Sequence, residues 1–356
     1  MKKWLLHIWM IGVLGMLTAS CSQEDDGLDL DTDGKVQVMF TIALDNPSAG
    51  SRATWGDNYD SAIGDGFDNR INPEQLFVTL TIGSNTYNVK NIVHWQTANN
   101  VYEFIGEVDG VNQTNGTVET KIQVYANMSS TTTSTFEPNY NINQSTGFAT
   151  SPNGVSYIPM WGVQTATISL TPGERTDLTE KDPIYLLRAM AKVEVNMDAE
   201  GYTLTNVTLN KYNTQGNCLP ANASTIGDTK LLNYDSTNPV CFNPNTTDAS
   251  TSTLSFNVTE DHLVFYLPEV ANGIKDSDNE LYMTVTLKKG TETVTLTKPY
   301  LYFRNYTDGS AENATPFDVV RNHWYKYTIS QVNDKVDLQI QVSVQRWVTC
   351  YNDLEI

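Results

Sequence analysis

The 356-residue chain has little that would support catalysis or metal binding. It holds 4 cysteines and 4 histidines, with no CxxC pair and no HExxH spacing. His94, His262 and His323 are scattered, so the usual zinc patterns are excluded and no metal or cofactor is expected. GxSxG and glycine-rich phosphate loops are absent, which removes two common routes to hydrolysis and nucleotide chemistry. Asp57, Asp60, Asp65 and Asp68 crowd one stretch, but their spacing lacks the regular calcium-loop pattern. The chain is therefore expected not to be an enzyme. Positive charge is also scarce. Lys and Arg number 22 against 41 Asp and Glu, a formal charge of −19. Nucleic acid and anionic lipid surfaces should repel such a chain. Beyond the first residues no apolar run is long enough to cross a bilayer. No segment shows a long helical period; only 72–74 and 310–323 offer weak helical turns.

What is present is a series of short strand patterns rich in Thr, Val and Tyr, separated by Asn, Gly and Ser. Val36, Val38, Phe40, Ile42 and Leu44 alternate with Gln37, Met39, Thr41 and Ala43. That period of two marks a strand with one buried face. Further strands are expected at 76–82, 87–93, 101–108, 118–125 and 166–170. Residues 129–156 read as a long surface loop. A polar break at 180–185 separates two halves. Strands then follow at 190–197, 202–209, 254–258, 263–267, 281–287, 294–301 and 324–332. The last run is the most regular, with Leu338, Ile340, Val342 and Val344 alternating with Gln339, Gln341, Ser343 and Gln345, up to Trp347. The pattern predicts an all-β chain of two antiparallel β-sandwich domains, 35–184 and 185–356.

The N-terminus is an address. Lys2 and Lys3 precede an apolar stretch from Trp4 to Leu17, then Thr18-Ala19-Ser20 and Cys21. Residues 1–20 have the layout of a signal peptide. Small residues directly before Cys21 resemble a bacterial lipobox, in which the thiol takes a lipid before cleavage. Residues 21–34 form an acidic tether, and Ser22-Gln23-Glu24-Asp25-Asp26 resembles the surface-export signal of Bacteroidetes lipoproteins. Loss of residues 1–20 leaves 20 basic residues against 41 acidic ones, a formal charge of −21. Cys218 and Cys241 are placed either to pair in an oxidising compartment or to remain two thiols, and Cys350 is left over.

Several strings then point to one family. These are Ile158-Pro159-Met160-Trp161-Gly162, the run from Leu187 to Val195, and Tyr266-Leu267-Pro268-Glu269. Arg321-Asn322-His323-Trp324-Tyr325-Lys326-Tyr327 and Val342-Ser343-Val344-Gln345-Arg346-Trp347 complete the set. In this order, behind this lipobox, the chain resembles the fimbrillins, subunits of Bacteroidetes type V pili. The resemblance covers nearly the whole chain. It implies two sandwich domains of transthyretin-like topology, export as an outer-membrane lipoprotein, and location in surface fimbriae. It implies an Arg-specific surface protease that cuts after an Arg beyond the first strand. Arg52-Ala53 matches that position, in a loop of small residues and a Pro that a protease can enter; Arg70 is the nearest alternative. Cutting would remove Cys21 with its lipid, together with the strand of Val36, Val38, Phe40, Ile42 and Leu44. The tail at 337–356, with Leu338, Ile340, Val342, Val344 and Trp347, is the matching donor for another pilin subunit.

Strand addition of this kind restores ladder hydrogen bonds and fills side-chain pockets. A head-to-tail contact that does not close propagates into a filament. Two other readings stand beside the pilin. One is a tip or anchor subunit of the same pilus. The other is a surface glycan-binding lipoprotein, which needs exposed aromatics; Trp55, Trp95, Trp161 and Trp324 are the candidates. Asp60-Ser61-Ala62 and Asp235-Ser236-Thr237 resemble short O-glycosylation motifs.

Overall fold

A computed structural model describes residues 35–44, 61–63, 71–98, 101–111, 116–128, 135–136, 157–179, 182–232, 242–244, 253–272, 280–296, 299–306, 315–333 and 337–348. Strands dominate throughout. In chain order they are β1 Val36–Leu44, β2 Ser61–Ile63, β3 Leu76–Ile82, β4 Asn85–Ala98, β5 Val101–Val108, β6 Val118–Ala126 and β7 Thr135–Phe136. Next come β8 Met160–Ile168, β9 Arg175–Asp177, β10 Ile184–Arg188, β11 Met190–Met197, β12 Tyr202–Asn210 and β13 Gly216–Asn217. The rest are β14 Thr253–Asn257, β15 His262–Pro268, β16 Tyr282–Lys289, β17 Glu292–Val294, β18 Tyr300–Tyr302, β19 His323–Asn333 and β20 Asp337–Val348. Among the described residues the helical structure is two short 3-10 turns, Pro73–Gln75 and Thr229–Leu231. The chain is all-β.

The first large sheet runs β10-β8-β6-β3-β4-β5-β1-β9, and β1 also pairs with β10. The sheet therefore closes on itself, and β1 is the strand that closes it. Inside lies a core that includes Val36, Val38 and Phe40 from β1, Val78 and Leu80 from β3, and Ile122 and Val124 from β6. The second half has two sheets, β15-β11-β19-β20-β2 and β14-β12-β16-β17, with β18 on β16. Their inner faces meet in one core. Val193, Phe265, Tyr325 and Tyr327 come from the first, Val207, Leu209, Met283 and Leu287 from the second. A small two-stranded pair, β7 with β13, lies inside what reads as loop in the sequence.

Most pairings are antiparallel, as expected. Four are parallel: β1 with β10, β1 with β9, β11 with β19, and β2 with β20. Tight hairpins force antiparallel neighbours, whereas these partners are joined by long connections and meet only through the tertiary fold.

Three strand expectations need correction. The strand expected at 166–170 is β8, which starts earlier, at Met160. From Met160 to Val163 every residue is buried, so this part has no alternation to read. The break at 180–185 hides β10, which belongs to the first sheet and is buried at all five positions. The single strand expected at 294–301 is two short ones, β17 and β18, both on β16.

Gly162 shows how tightly β8 and β10 meet. A Cβ there would sit 2.7 Å from the Tyr185 carbonyl oxygen and 2.6 Å from Leu186 Cδ2. Backbone cannot yield as a side-chain tip can. Gly162→Ala should lower unfolding free energy by about 1–3 kcal/mol, read from the urea midpoint.

Candidate functional site

The site begins with β1. Val36, Val38, Phe40, Ile42 and Leu44 are each 0% exposed. The strand alternates because these five enter the core. The opposite face is partly covered too, since Gln37 and Ala43 are buried. Gln37 accepts a 2.6 Å hydrogen bond from Arg175 Nε. Phe40 stacks on Phe104, ring centroids 5.5 Å apart.

Both edges of β1 are held. On one side Val36–Ala43 lie opposite Val108–Val101 of β5. On the other, Gln37–Met39 pair with Arg175–Asp177 and Ile42–Leu44 with Ile184–Leu186. The gap between these two short partners is bridged by side-chain chemistry. The Thr41 amide donates to Thr179 Oγ1 at 3.1 Å, and that hydroxyl donates to Asp177 Oδ1 at 3.1 Å. Nearby, the Leu178 amide donates to the Met39 carbonyl at 2.8 Å. What surrounds β1 is thus a slot with two rails of backbone groups and a floor of apolar pockets. Emptying the slot would expose five side chains' worth of core. At ~1.5–3 kcal/mol each this is on the order of 8–15 kcal/mol as an upper bound.

The tail stands elsewhere. β20 pairs with β19 from Asp337 opposite Asn333 to Arg346 opposite His323. Leu338 and Ile340 are 3% exposed and belong to the second core, and Val342 and Val344 pack against it. Trp347 lies at the end of the strand, its backbone opposite Ala62 of β2. The β1 side chains and Leu338, Ile340, Val342 and Val344 therefore belong to different cores of the chain. Cys21, Arg52, Ala53, Arg70, Cys241, Cys350 and residues 349–356 lie outside the described residues, as do Asp57, Asp60, Asp65, Asp68, Asp235, Ser236, Thr237 and Trp55. Cys218 is fully buried, and burial pushes its thiol up to about 12.

Four of the five strings converge at one place, the seam between the two halves. Leu187 and Arg188 lie opposite Trp161 and Met160. Met190 lies opposite Pro268, and Lys192 opposite Trp324. Arg188 Nη1 donates to Asn322 Oδ1 at 3.1 Å, and the Asn322 amide donates to the Met190 carbonyl at 2.9 Å. At the centre Arg321 Nη2 donates to Glu269 Oε2 at 2.7 Å, with both side chains at most 2% exposed. The same carboxylate takes the Arg321 amide, and Arg321 Nη1 reaches the Cys218 carbonyl at 2.6 Å. Arg321 and Glu269 stand in the strings that carry the family resemblance, but their pairing is not legible in the sequence. The one available signal was charge standing inside apolar strings, Arg321 and Glu269 among them.

Trp161 is fully buried, and Trp324 sits with Lys192 and Lys326 ammoniums 4.1 and 4.0 Å from its ring. Neither forms an open aromatic platform. Beside them Glu194 meets His262 at 3.3 Å and Lys326 at 3.9 Å. Burial disfavours its charge, but hydrogen bonds from His262 and Asn196, with Lys326 nearby, outweigh this and hold the carboxyl at about 2. Among the described residues no three His, Cys, Asp or Glu gather as metal ligands.

No described protein family and no curated protein matches the chain. Solved structures do. The tip fimbrial protein Mfa3 from Porphyromonas gingivalis, with C-terminal truncation, superposes with a TM-score of 0.53 at 11% identity. The match covers 88% of this chain and 100% of that one. A fimbrial assembly protein from Parabacteroides distasonis matches at TM-score 0.43 and 14% identity, over 88% and 96% of the two chains. The chain has the all-β fold of the tip fimbrial protein.

Proposed function

We propose that this chain is a fimbrillin-type pilin precursor, non-enzymatic, with two β-sandwich domains of transthyretin-like topology. Lipid on Cys21 carries it to the outer membrane. An Arg-specific surface protease cuts between Arg52 and Ala53, β1 leaves, and the tail of another subunit enters the slot. Repetition builds a surface fimbrium that serves adhesion. One observation supports the reading: the N-terminal strand β1 is the element that closes the first sheet, with five side chains wholly buried.

Two routes lead from the tail to a neighbour's slot. Either β20 leaves β19 and offers Leu338, Ile340, Val342 and Val344, or the eight residues beyond Val348 enter alone. The pairing of β20 within its own sheet also favours a second reading, a tip subunit that accepts a strand and donates none. Incubating the purified precursor with an Arg-specific protease should yield a fragment beginning at Ala53, followed by oligomers on native gels. Monomers after clean cleavage at Ala53 would sink the stalk reading and leave the tip. Deleting residues 349–356 stops assembly if the short end is the donor and spares it if β20 is.

A further inference from the structure

The outer face of the β14-β12-β16-β18 layer differs from the rest of this acidic chain. Across the layer Ser255, Thr208, Thr284 and Tyr300 stand in one register row. The row beside it ends in Tyr282 opposite Tyr302. Asn257 and Asn206 continue the face, Lys288 adds a charge further along β16, and the buried Arg304–Glu280 pair lies past the tyrosine end. Among the described residues no carboxylate lies in these rows, although the chain carries 41.

The polar groups form a connected surface. The hydroxyls of Thr208 and Ser255 are 2.7 Å apart, and Thr208 donates to Asn206 Oδ1 at 3.0 Å. At one end the three tyrosine rings touch one another, with centroids 5.6 to 5.8 Å apart. Tyr300 is 38% exposed. The group is held from below. The Arg304 guanidinium lies 4.1 Å from the Tyr302 ring centroid and is gripped through both its Nε and Nη2 by buried Glu280. The Tyr302 amide donates to the Tyr306 hydroxyl oxygen at 2.8 Å. Rigid aromatics lose little entropy on contact.

We infer that this face is a binding site for a neutral glycan. A saccharide offers C–H faces to the tyrosines and hydroxyls to the Thr, Ser and Asn groups. Anionic ligands would find no cation among the described residues of these rows. A protein partner would find no apolar centre, since the middle is small hydroxyls and amides. At about 4.8 Å per strand, the row from Ser255 to Tyr300 spans about 14 Å, the reach of a short oligosaccharide. The inference goes beyond the pilin reading and does not depend on strand exchange.

The test uses the full, uncut chain and a panel of neutral oligosaccharides of glucose, galactose, mannose and N-acetylhexosamines, with sialylated counterparts as controls. Calorimetry should find a neutral binder at millimolar concentration or better. Tyr300→Ala should raise Kd about tenfold and Tyr300→Phe less than about threefold. Thr284→Glu, which places a carboxylate in the row, should weaken binding as well. Absence of any neutral binder, preference for the sialylated sugars, or a Kd indifferent to Tyr300→Ala would each overturn the assignment. So would sedimentation showing that Tyr300→Ala abolishes self-association, which would make the face a contact between copies.

Discussion

Phe40→Ala lowers the unfolding free energy of the uncut precursor by about 3–5 kcal/mol and leaves the cleaved, assembled form unchanged. The first half of this expectation is packing. Phe40 is 0% exposed and stacks on Phe104, so truncation leaves a cavity that the closed sheet cannot collapse. The second half follows from the proposed strand exchange, under which β1 would be absent from the mature subunit. Phe104→Ala is the control. It removes the other ring of the stack, which sits on β5 and stays in both forms, so it should weaken both. Urea unfolding of the precursor and thermal dissociation of filaments measure the two quantities. A filament weakened by Phe40→Ala would mean that β1 is retained, and the exchange reading would fail. The variant should also assemble faster after cleavage, since a weaker placeholder leaves more readily.

Arg321→Met should cost about 3–5 kcal/mol, the usual penalty for leaving one partner of a buried ion pair without the other. Here the loss has several parts. Glu269 would be left in a site at most 2% exposed, bonded to the backbone amides of residues 321 and 243 but without the guanidinium. The carbonyls of Asn217 and Cys218 would lose their donor as well. Adding Glu269→Gln to Arg321→Met should restore part of the loss, because a neutral amide is cheaper to bury than an unpaired carboxylate. Chemical unfolding of the single and double variants gives the comparison. A cost below about 1 kcal/mol for Arg321→Met would mean that the seam is open to water and behaves as a surface pair.

The ion pair also shows why the quoted strings matter physically. Each is short and unremarkable alone. Folded, Met160–Trp161, Leu187–Arg188, Pro268–Glu269 and Arg321–Asn322 are neighbours around one polar knot. Their order along the chain is legible, but their convergence is not, since nothing local records that Arg321 will meet a carboxylate from β15.

The same division runs through the whole molecule. Local alternation determined β1, β11 and β20, because each turns one face to a core and period two survives in the residues themselves. The acidic balance was equally plain, since it is a property of composition. Only the tertiary structure decided the rest. β10 and the start of β8 are covered on both faces, so burial erased their pattern. Closure of the first sheet by β1 against β10 joins segments far apart in the chain, and no local preference encodes such a pairing. The tyrosine group of β16 and β18 likewise exists only because two strands lie side by side. Sequence records what each strand must bury; which strand covers it is settled by long-range packing alone.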